Sequence, residues 1–268
     1  MARELGCPLA QMEYRRFPDG EQYCRILDGV PEHAVVVQST PTDQDLLTLL
    51  LLLDACEGAD RVDLVIPYLG YSRQDKRFLD GEPISARAIT RCLRADRTML
   101  VNMHHPAVAS YFPGEVQTLD AGPLLAEHVK SWGDAIILIA PDKGAVSMVA
   151  NAAKQAGLEY DHLEKTRVSG EEVTMVPKRL AVKGREVVIL DDIISTGGSI
   201  ATAASMVLAQ GASGVHAVGV HAVLAGPAVL RMVAAGVGRI CFTDTLECVH
   251  SEVSVAPLVA QALKPAKK

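Results

Sequence analysis

Excess basic charge is missing from this chain: 26 Lys and Arg stand against 32 Asp and Glu, a formal charge of -6 and a pI of about 5.8. Nucleic acids and anionic membranes reward clustered cations, so neither is an expected partner. A phosphate site must then be local. Cysteine pairing is also missing. Cys7, Cys24, Cys56, Cys92, Cys241 and Cys248 stand far apart with no C-x-x-C, which excludes the common local zinc and dithiol motifs and predicts reduced, mostly buried thiols. No basic stretch followed by an apolar one opens the chain, so no secretory signal is read and the cytoplasm is the expected compartment. The one conspicuous apolar run, residues 46–53, is far shorter than the roughly 20 residues of a membrane span. It is expected as a buried helix. No short-period repeat occurs, and the only biased segment is the Lys and Pro tail after Leu263.

What is present suffices for a sizeable core: 268 residues, 49% of them hydrophobic. That length fits one large domain or two ordinary ones, and two domains sharing one site is the expectation. Short β-branched runs at residues 35–38, 62–66, 99–102, 135–139, 186–190 and 215–220 read as buried strands. Helical segments fall between them, at residues 45–56, 84–93, 146–155 and 199–210. Such alternation predicts an α/β protein with mainly parallel sheets flanked by helices. A boundary near residues 118–123 divides 1–121 from 122–268. Polar clusters follow several strands, at residues 73–77, 102–105, 142–144 and 191–199, and open α/β sheets bind ligands at those carboxyl ends.

The most informative cluster follows the apolar run Val187, Val188, Ile189, Leu190. It reads Asp191, Asp192, Ile193, Ile194, Ser195, Thr196, Gly197, Gly198, Ser199, and a helix of small residues comes next. Glycines let the backbone turn tightly, so successive N–H groups can form an anion nest at a helix start. Thr196 and Ser199 add hydroxyl donors. Two carboxylates would repel a bare phosphate, yet they suit sugar hydroxyls or a magnesium ion further along the same ligand. Phosphate plus sugar is therefore the reading, against the plainer one of a strand, loop and helix with a capping serine. The run resembles the signature of the type I phosphoribosyltransferase fold, which base phosphoribosyltransferases and ribose-phosphate pyrophosphokinases (PRPP synthetases) share.

Residues 68–87 read Y-L-G-Y-S-R-Q-D-K-R-F-L-D-G-E-P-I-S-A-R. By chemistry Gln74 and Asp75 can hydrogen-bond a base, and Arg73 can stack on it or pair with phosphate. A charge run is ordinarily a solvated loop. Here the block resembles the pyrophosphokinase segment that forms part of the ATP site, with Arg73 and Gln74 at its nucleotide contacts. Phe17, Asp19, Gly20 and Glu21 are similar to the family's F-x-D-G-E loop, which reaches ATP on a neighbouring subunit. Asn102, Met103 and His104 resemble its D-x-H segment, whose histidine helps bind magnesium-ATP. Pro141 to Gly144 resemble a P-D-x-G loop, implying a metal and ribose 5-phosphate role for Asp142. L-E-K-T-R at residues 163–167 resembles the mobile catalytic loop, with Lys165 and Arg167 at its two basic positions. His221, in a late matching segment, is read as fixing a strand end.

The resemblance implies two phosphoribosyltransferase-like domains: 1–121 for ATP, and 122–268 for ribose 5-phosphate, with the C-terminal helix packing back on the first. It implies transfer of pyrophosphate from ATP to ribose 5-phosphate, with Mg2+ as cofactor and a homo-oligomer in which a neighbour completes the ATP site. Asp191 and Asp192 would hold the sugar and metal, and Ser195, Thr196, Gly197, Gly198 and Ser199 the 5-phosphate. Three departures stand out. The segment before the F-x-D-G-E loop is about a dozen residues short by eye, predicting loss of an edge strand, and Asn102 and Ser195 replace common aspartates. Ser195 matches a shorter, archaeal-type branch. The short start and Asn102 favour a non-catalytic associated subunit as the alternative, whereas the acids and Lys165 with Arg167 oppose it. A base phosphoribosyltransferase would need neither the R-Q-D-K-R nor the L-E-K-T-R block.

Overall fold

The computed structural model describes residues 1–133, 135–167, 173–176 and 180–264, and the side chains of 164–167 and 173–176 lie outside that description. Two units divide after Leu119: Met1–Leu119 with the segment from Val255 onward, and Asp120–Ser254.

The first unit begins with a short helix α1 (Ala2–Leu5) and an antiparallel hairpin of β1 (Met12–Arg16) and β2 (Gln22–Ile26). Its main sheet is parallel, in the order β3 (His33–Val37), β4 (Arg61–Ile66), β5 (Arg97–Val101), β6 (Glu115–Leu119). Residues 63–66 of β4 are buried in succession, as expected of a strand covered on both faces. Helices α2 (Asp43–Ala55) and α3 (Ser85–Thr90) lie between these strands in sequence. A capping box starts α2: Thr42 Oγ1 accepts from Asp45 N–H, and the Asp45 carboxylate accepts from Thr42 N–H, each at 3.2 Å. The apolar run 46–53 is helical but not buried all round. Leu49 and Leu52 face the core while Leu47 is 45% exposed, because a helix lying on a sheet turns only one face inward. α3 is shorter than its sequence predicts, since Cys92 and Leu93 donate to Ile89 and Thr90, three residues back, and tighten the chain into a turn. β3 is an edge strand. An apolar cavity of about 560 Å3 lies beside it, with Val35, Val37 and Leu9 in its wall.

The second unit runs through α4 (Gly122–Val129), β7 (Ile136–Ala140), α5 (Val146–Ala156), β8 (Glu159–His162), the antiparallel pair β9 (Glu164–Arg167) and β10 (Val173–Val176), and β11 (Glu186–Ile194). It continues with α6 (Gly198–Ala209), β12 (Gly214–Ala222), α7 (Ala228–Ala234), β13 (Val237–Thr243) and β14 (Ser251–Val253). Six of these strands form one parallel sheet in the order β14-β13-β12-β11-β7-β8. Ile139, Leu163, Ile189 and Phe242 are fully buried in its core. The last helix, α8 (Ala256–Leu263), belongs with the first unit, where Arg97 Nη1 donates to Ala262 O at 3.4 Å.

Both main sheets are parallel, as the alternation of strand and helix predicts. Two expectations change. β11 does not stop at Leu190; it continues to Ile194, because the adjacent β12 is equally long and pairs Asp191 with Gly219 and Ile194 with Ala222. The thiols are all free, yet only Cys56 and Cys241 are buried, while Cys7 and Cys92 are exposed. Cys7 lies in the loop after α1 and Cys92 in the turn after α3, outside the strands. Among the described residues no helix is long and apolar enough to cross a membrane.

One buried charge organises the first sheet. Asp63 is fully buried and meets Arg61, Arg97 and His33 at 3.0 Å each. Burial alone would raise its carboxyl, but hydrogen bonds from Arg97, Arg61 and His33 outweigh it and hold the group below the ordinary range.

Candidate functional site

In the second unit the sheet delivers an acidic strand end to a glycine turn and a helix start. Asp191 and Asp192 lie on β11, partly buried. Asp191 accepts from Asp192 N–H at 2.9 Å, and Asp192 from Ile193 N–H at 2.8 Å. Gly219, opposite Asp191, has no room for a side chain: a Cβ there would sit 2.6 Å from the Phe242 ring. The strand edge is therefore packed tightly behind the acids. Burial pushes the Asp191 carboxyl well above the ordinary range, and the negative charges of Asp192 and Asp142 push it further. Asp142 sits in the turn after β7 and accepts from Gly144 N–H at 2.9 Å. So the structure brings Asp142, Asp191 and Asp192 into one acidic field. Hard oxygen donors that share one field fit magnesium or sugar hydroxyls.

Beyond Ile194 the chain turns through Ser195, Thr196 and Gly197 into α6. Gly197 has φ +71°, and a Cβ would meet Ala228 O at 2.9 Å and Met232 Cγ at 3.1 Å, so this turn requires glycine. No side chain caps α6 and its first turn holds no acid. Its N-terminal N–H groups and dipole thus favour an anion. The turn is held from behind: Leu224 and Ala225 N–H donate to the carbonyls of Ile194 and Ser195, each at 3.0 Å, and Arg231 Nη1 donates to Thr196 O at 2.6 Å. Arg231 comes from α7, and no local pattern in the sequence announces its role.

In the first unit, Phe17, Asp19, Gly20 and Glu21 form the exposed turn of the β1–β2 hairpin. Phe17 N–H donates to Glu21 O and Gly20 N–H to Phe17 O, each at 2.9 Å. The Asp19 carboxylate accepts from Glu21 N–H at 3.2 Å. Arg15 packs over Phe17 and Tyr23 with its guanidinium carbon 5.0 and 4.2 Å from the ring centres. Arg73 is exposed and Gln74 half-buried, its side-chain oxygen accepting from the Ser85 hydroxyl. Asp75, which by chemistry could face a base, is instead turned to His105: Oδ2 lies 3.2 Å from Nδ1, and Tyr111 donates to Asp75 O at 3.0 Å. This clamp joins the loop after β4 to the loop after β5, and so brings the neighbourhoods of Arg73 and Gln74 to that of the exposed His104. No local pattern in the sequence sets His105 apart. Asn102, between β5 and His104, adopts φ +39°.

Lys165 and Arg167 lie on β9, opposite Met175 and Val173 of β10. Their side chains lie outside the described residues. Late in the unit, His221 is buried at the end of β12 with Nδ1 2.9 Å from Thr245 Oγ1, which fits a structural role.

A parallel sheet that feeds two acids into a glycine turn and an uncapped helix is the arrangement in a phosphoribosyltransferase-type domain. Residues 115–250 match the phosphoribosyl transferase domain, and residues 1–96 match the N-terminal domain of ribose phosphate pyrophosphokinase. Ribose-phosphate pyrophosphokinase of Methanosarcina mazei is 49% identical over 264 residues, 98% of this chain and 90% of the relative. Ribose-phosphate pyrophosphokinase 2 of Archaeoglobus fulgidus is 42% identical over 97% of this chain and 94% of its own. The crystal structure of phosphoribosylpyrophosphate synthetase from Mycobacterium smegmatis superimposes with a TM-score of 0.84 at 31% identity, covering 97% of this chain and 91% of that one. The chain belongs to the ribose-phosphate pyrophosphokinase family.

Proposed function

We propose that the chain transfers the β,γ-pyrophosphoryl group of ATP to the C1 hydroxyl of ribose 5-phosphate, giving 5-phosphoribosyl 1-pyrophosphate and AMP. The C1 oxygen forms a bond to the β-phosphorus, the bond from that phosphorus to the α,β-bridging oxygen breaks, and the hydroxyl proton is lost. The acidic strand end joined to the glycine turn carries this reading, because phosphate and sugar are the two groups it fits. Ser195, Thr196, Gly197, Gly198 and Ser199 hold the 5-phosphate through backbone N–H groups and hydroxyls. Asp191 and Asp192 accept from ribose hydroxyls.

Residues 1–121 bind ATP, with Arg73 and Gln74 on the nucleotide, and residues 122–268 bind ribose 5-phosphate. Phe17, Asp19 and Glu21 reach ATP on a neighbouring subunit of a homo-oligomer; their exposed hairpin turn supports that role. Magnesium, when bound, neutralises phosphate charge; His104 would hold it on the nucleotide side, and Asp142 with the β11 acids on the sugar side. Lys165 and Arg167 meet the charge that develops on the reacting phosphates. The reaction belongs in the cytoplasm, where the free thiols stay reduced.

The test is direct quantitation of AMP and phosphoribosyl pyrophosphate from ATP, ribose 5-phosphate and magnesium. Both products should appear in equal amounts. Lys165→Ala should lower kcat by about 100-fold or more, as loss of one preorganised donor does, while ribose 5-phosphate binding stays intact. Folded protein that forms neither product sinks the reading.

A further inference from the structure

We propose that His128, Cys241 and Glu252 form a zinc-binding site in the second unit, separate from the phosphate turn in the chain and in chemistry. One donor atom from each of the three residues lies within 4.8 Å of the other two. His128 Nε2 is 3.0 Å from Glu252 Oε2. The sulfur comes from the buried Cys241 on β13, the imidazole from α4 and the carboxylate from β14. Three elements thus converge a nitrogen, a sulfur and an oxygen, a mixed set that suits borderline Zn2+ and not the oxygen-seeking Mg2+. The absence of any C-x-x-C hides this grouping from the sequence, since its members meet only through the fold.

Burial, and next the charge of Glu252, push the Cys241 thiol up to about 12. Without a cation it stays protonated. Zinc binding would form the Sγ–Zn bond and release that proton to solvent, with the neutral His128 Nε2 and the Glu252 carboxylate completing three positions. A plain ion pair of half-exposed His128 and Glu252 would contribute little. A metal gives the convergence a purpose: β14 is only three residues long and lies at the sheet edge, and the site would pin it to α4.

The chain carries its own reporter. Its single tryptophan, Trp132, meets the His128 ring edge-on at 5.9 Å between centres. The full-length protein, stripped with chelator, is titrated with Zn2+ while Trp132 fluorescence is followed and the retained metal is measured after dialysis. One zinc per chain should bind, with a fluorescence change that Mg2+ does not reproduce. His128→Asn and Cys241→Ala should abolish it, and Glu252→Gln should weaken it about tenfold or more. Co2+ should give a thiolate-to-cobalt charge-transfer band that Cys241→Ala loses. If Cys241→Ala does not fold, His128→Asn and Glu252→Gln on the protein surface decide the question. No zinc retained by the wild type, or equal retention in the folded variants, overturns the proposal.

Discussion

Each unit sets an aspartate on a parallel strand, Asp63 fully buried and Asp191 partly so, and the two carboxylates shift in opposite directions. Asp63 is met by Arg97, Arg61 and His33 and sits below the ordinary carboxyl range; Asp191 is met by burial and by Asp192 and Asp142 and sits well above it. The first is a finished contact. The second is a cost carried by the ligand-free fold, and it becomes reasonable only when a cation or hydroxyl donor arrives. The sign of the neighbouring charges therefore separates an aspartate that builds the structure from one that serves the reaction, although both stand on parallel strands.

Breaking the finished contact should have the largest effect on stability. Asp63→Ala leaves Arg97, only 15% exposed at its side chain, without its carboxylate, and unfolding should become easier by about 3–5 kcal/mol in denaturant titration. Asp191→Asn should act in the opposite sense, raising Tm of the ligand-free protein while removing ribose 5-phosphate binding. The pH dependence sharpens the contrast. Where the Asp63 carboxyl is depressed, the unfolded chain binds more protons, so stability rises with pH through that acid window and is lost below it. Where the Asp191 carboxyl is raised, the folded chain binds more protons, so stability falls as pH climbs from the ordinary carboxyl range to the raised value. Melting curves taken upward from the ordinary carboxyl range should show the falling limb in wild type and lose it in Asp191→Asn.

Two smaller effects address the turn beside Asp191. Gly197→Ala must adopt φ +71° against Ala228 O and Met232, which should cost about 1–3 kcal/mol and raise KM for ribose 5-phosphate. Arg231→Gln removes the bond to Thr196 O and should cost about 1 kcal/mol of stability by the typical worth of such a contact. Its KM for ribose 5-phosphate should rise with little change in KM for ATP. Steady-state kinetics on the two variants checks both expectations.

Local order was legible where local chemistry sets it. The alternation of strands and helices, the small-residue helix now seen as Gly198–Ala209, and the parallel sheets follow from periodicity and glycine placement. The acids at residues 191 and 192 and the turn after them could be recognised because strand, turn and helix are consecutive. Features decided by distant neighbours were not. The length of β11 depends on its pairing with β12, the exposure of Leu47 on which face α2 turns inward, and the support of Thr196 on a side chain from α7. His105 carries no local signal beside His104, because only the folded loop shows that Asp75 is its partner.

The most direct test of this account is calorimetric titration of ribose 5-phosphate, without nucleotide, into wild type, Asp191→Asn, Gly197→Ala and Arg73→Ala. Binding should be lost or strongly weakened in the first two variants and unchanged in Arg73→Ala. Wild-type affinity in Asp191→Asn and Gly197→Ala, or a loss confined to Arg73→Ala, would contradict the assignment of the sugar phosphate to the β11–α6 turn.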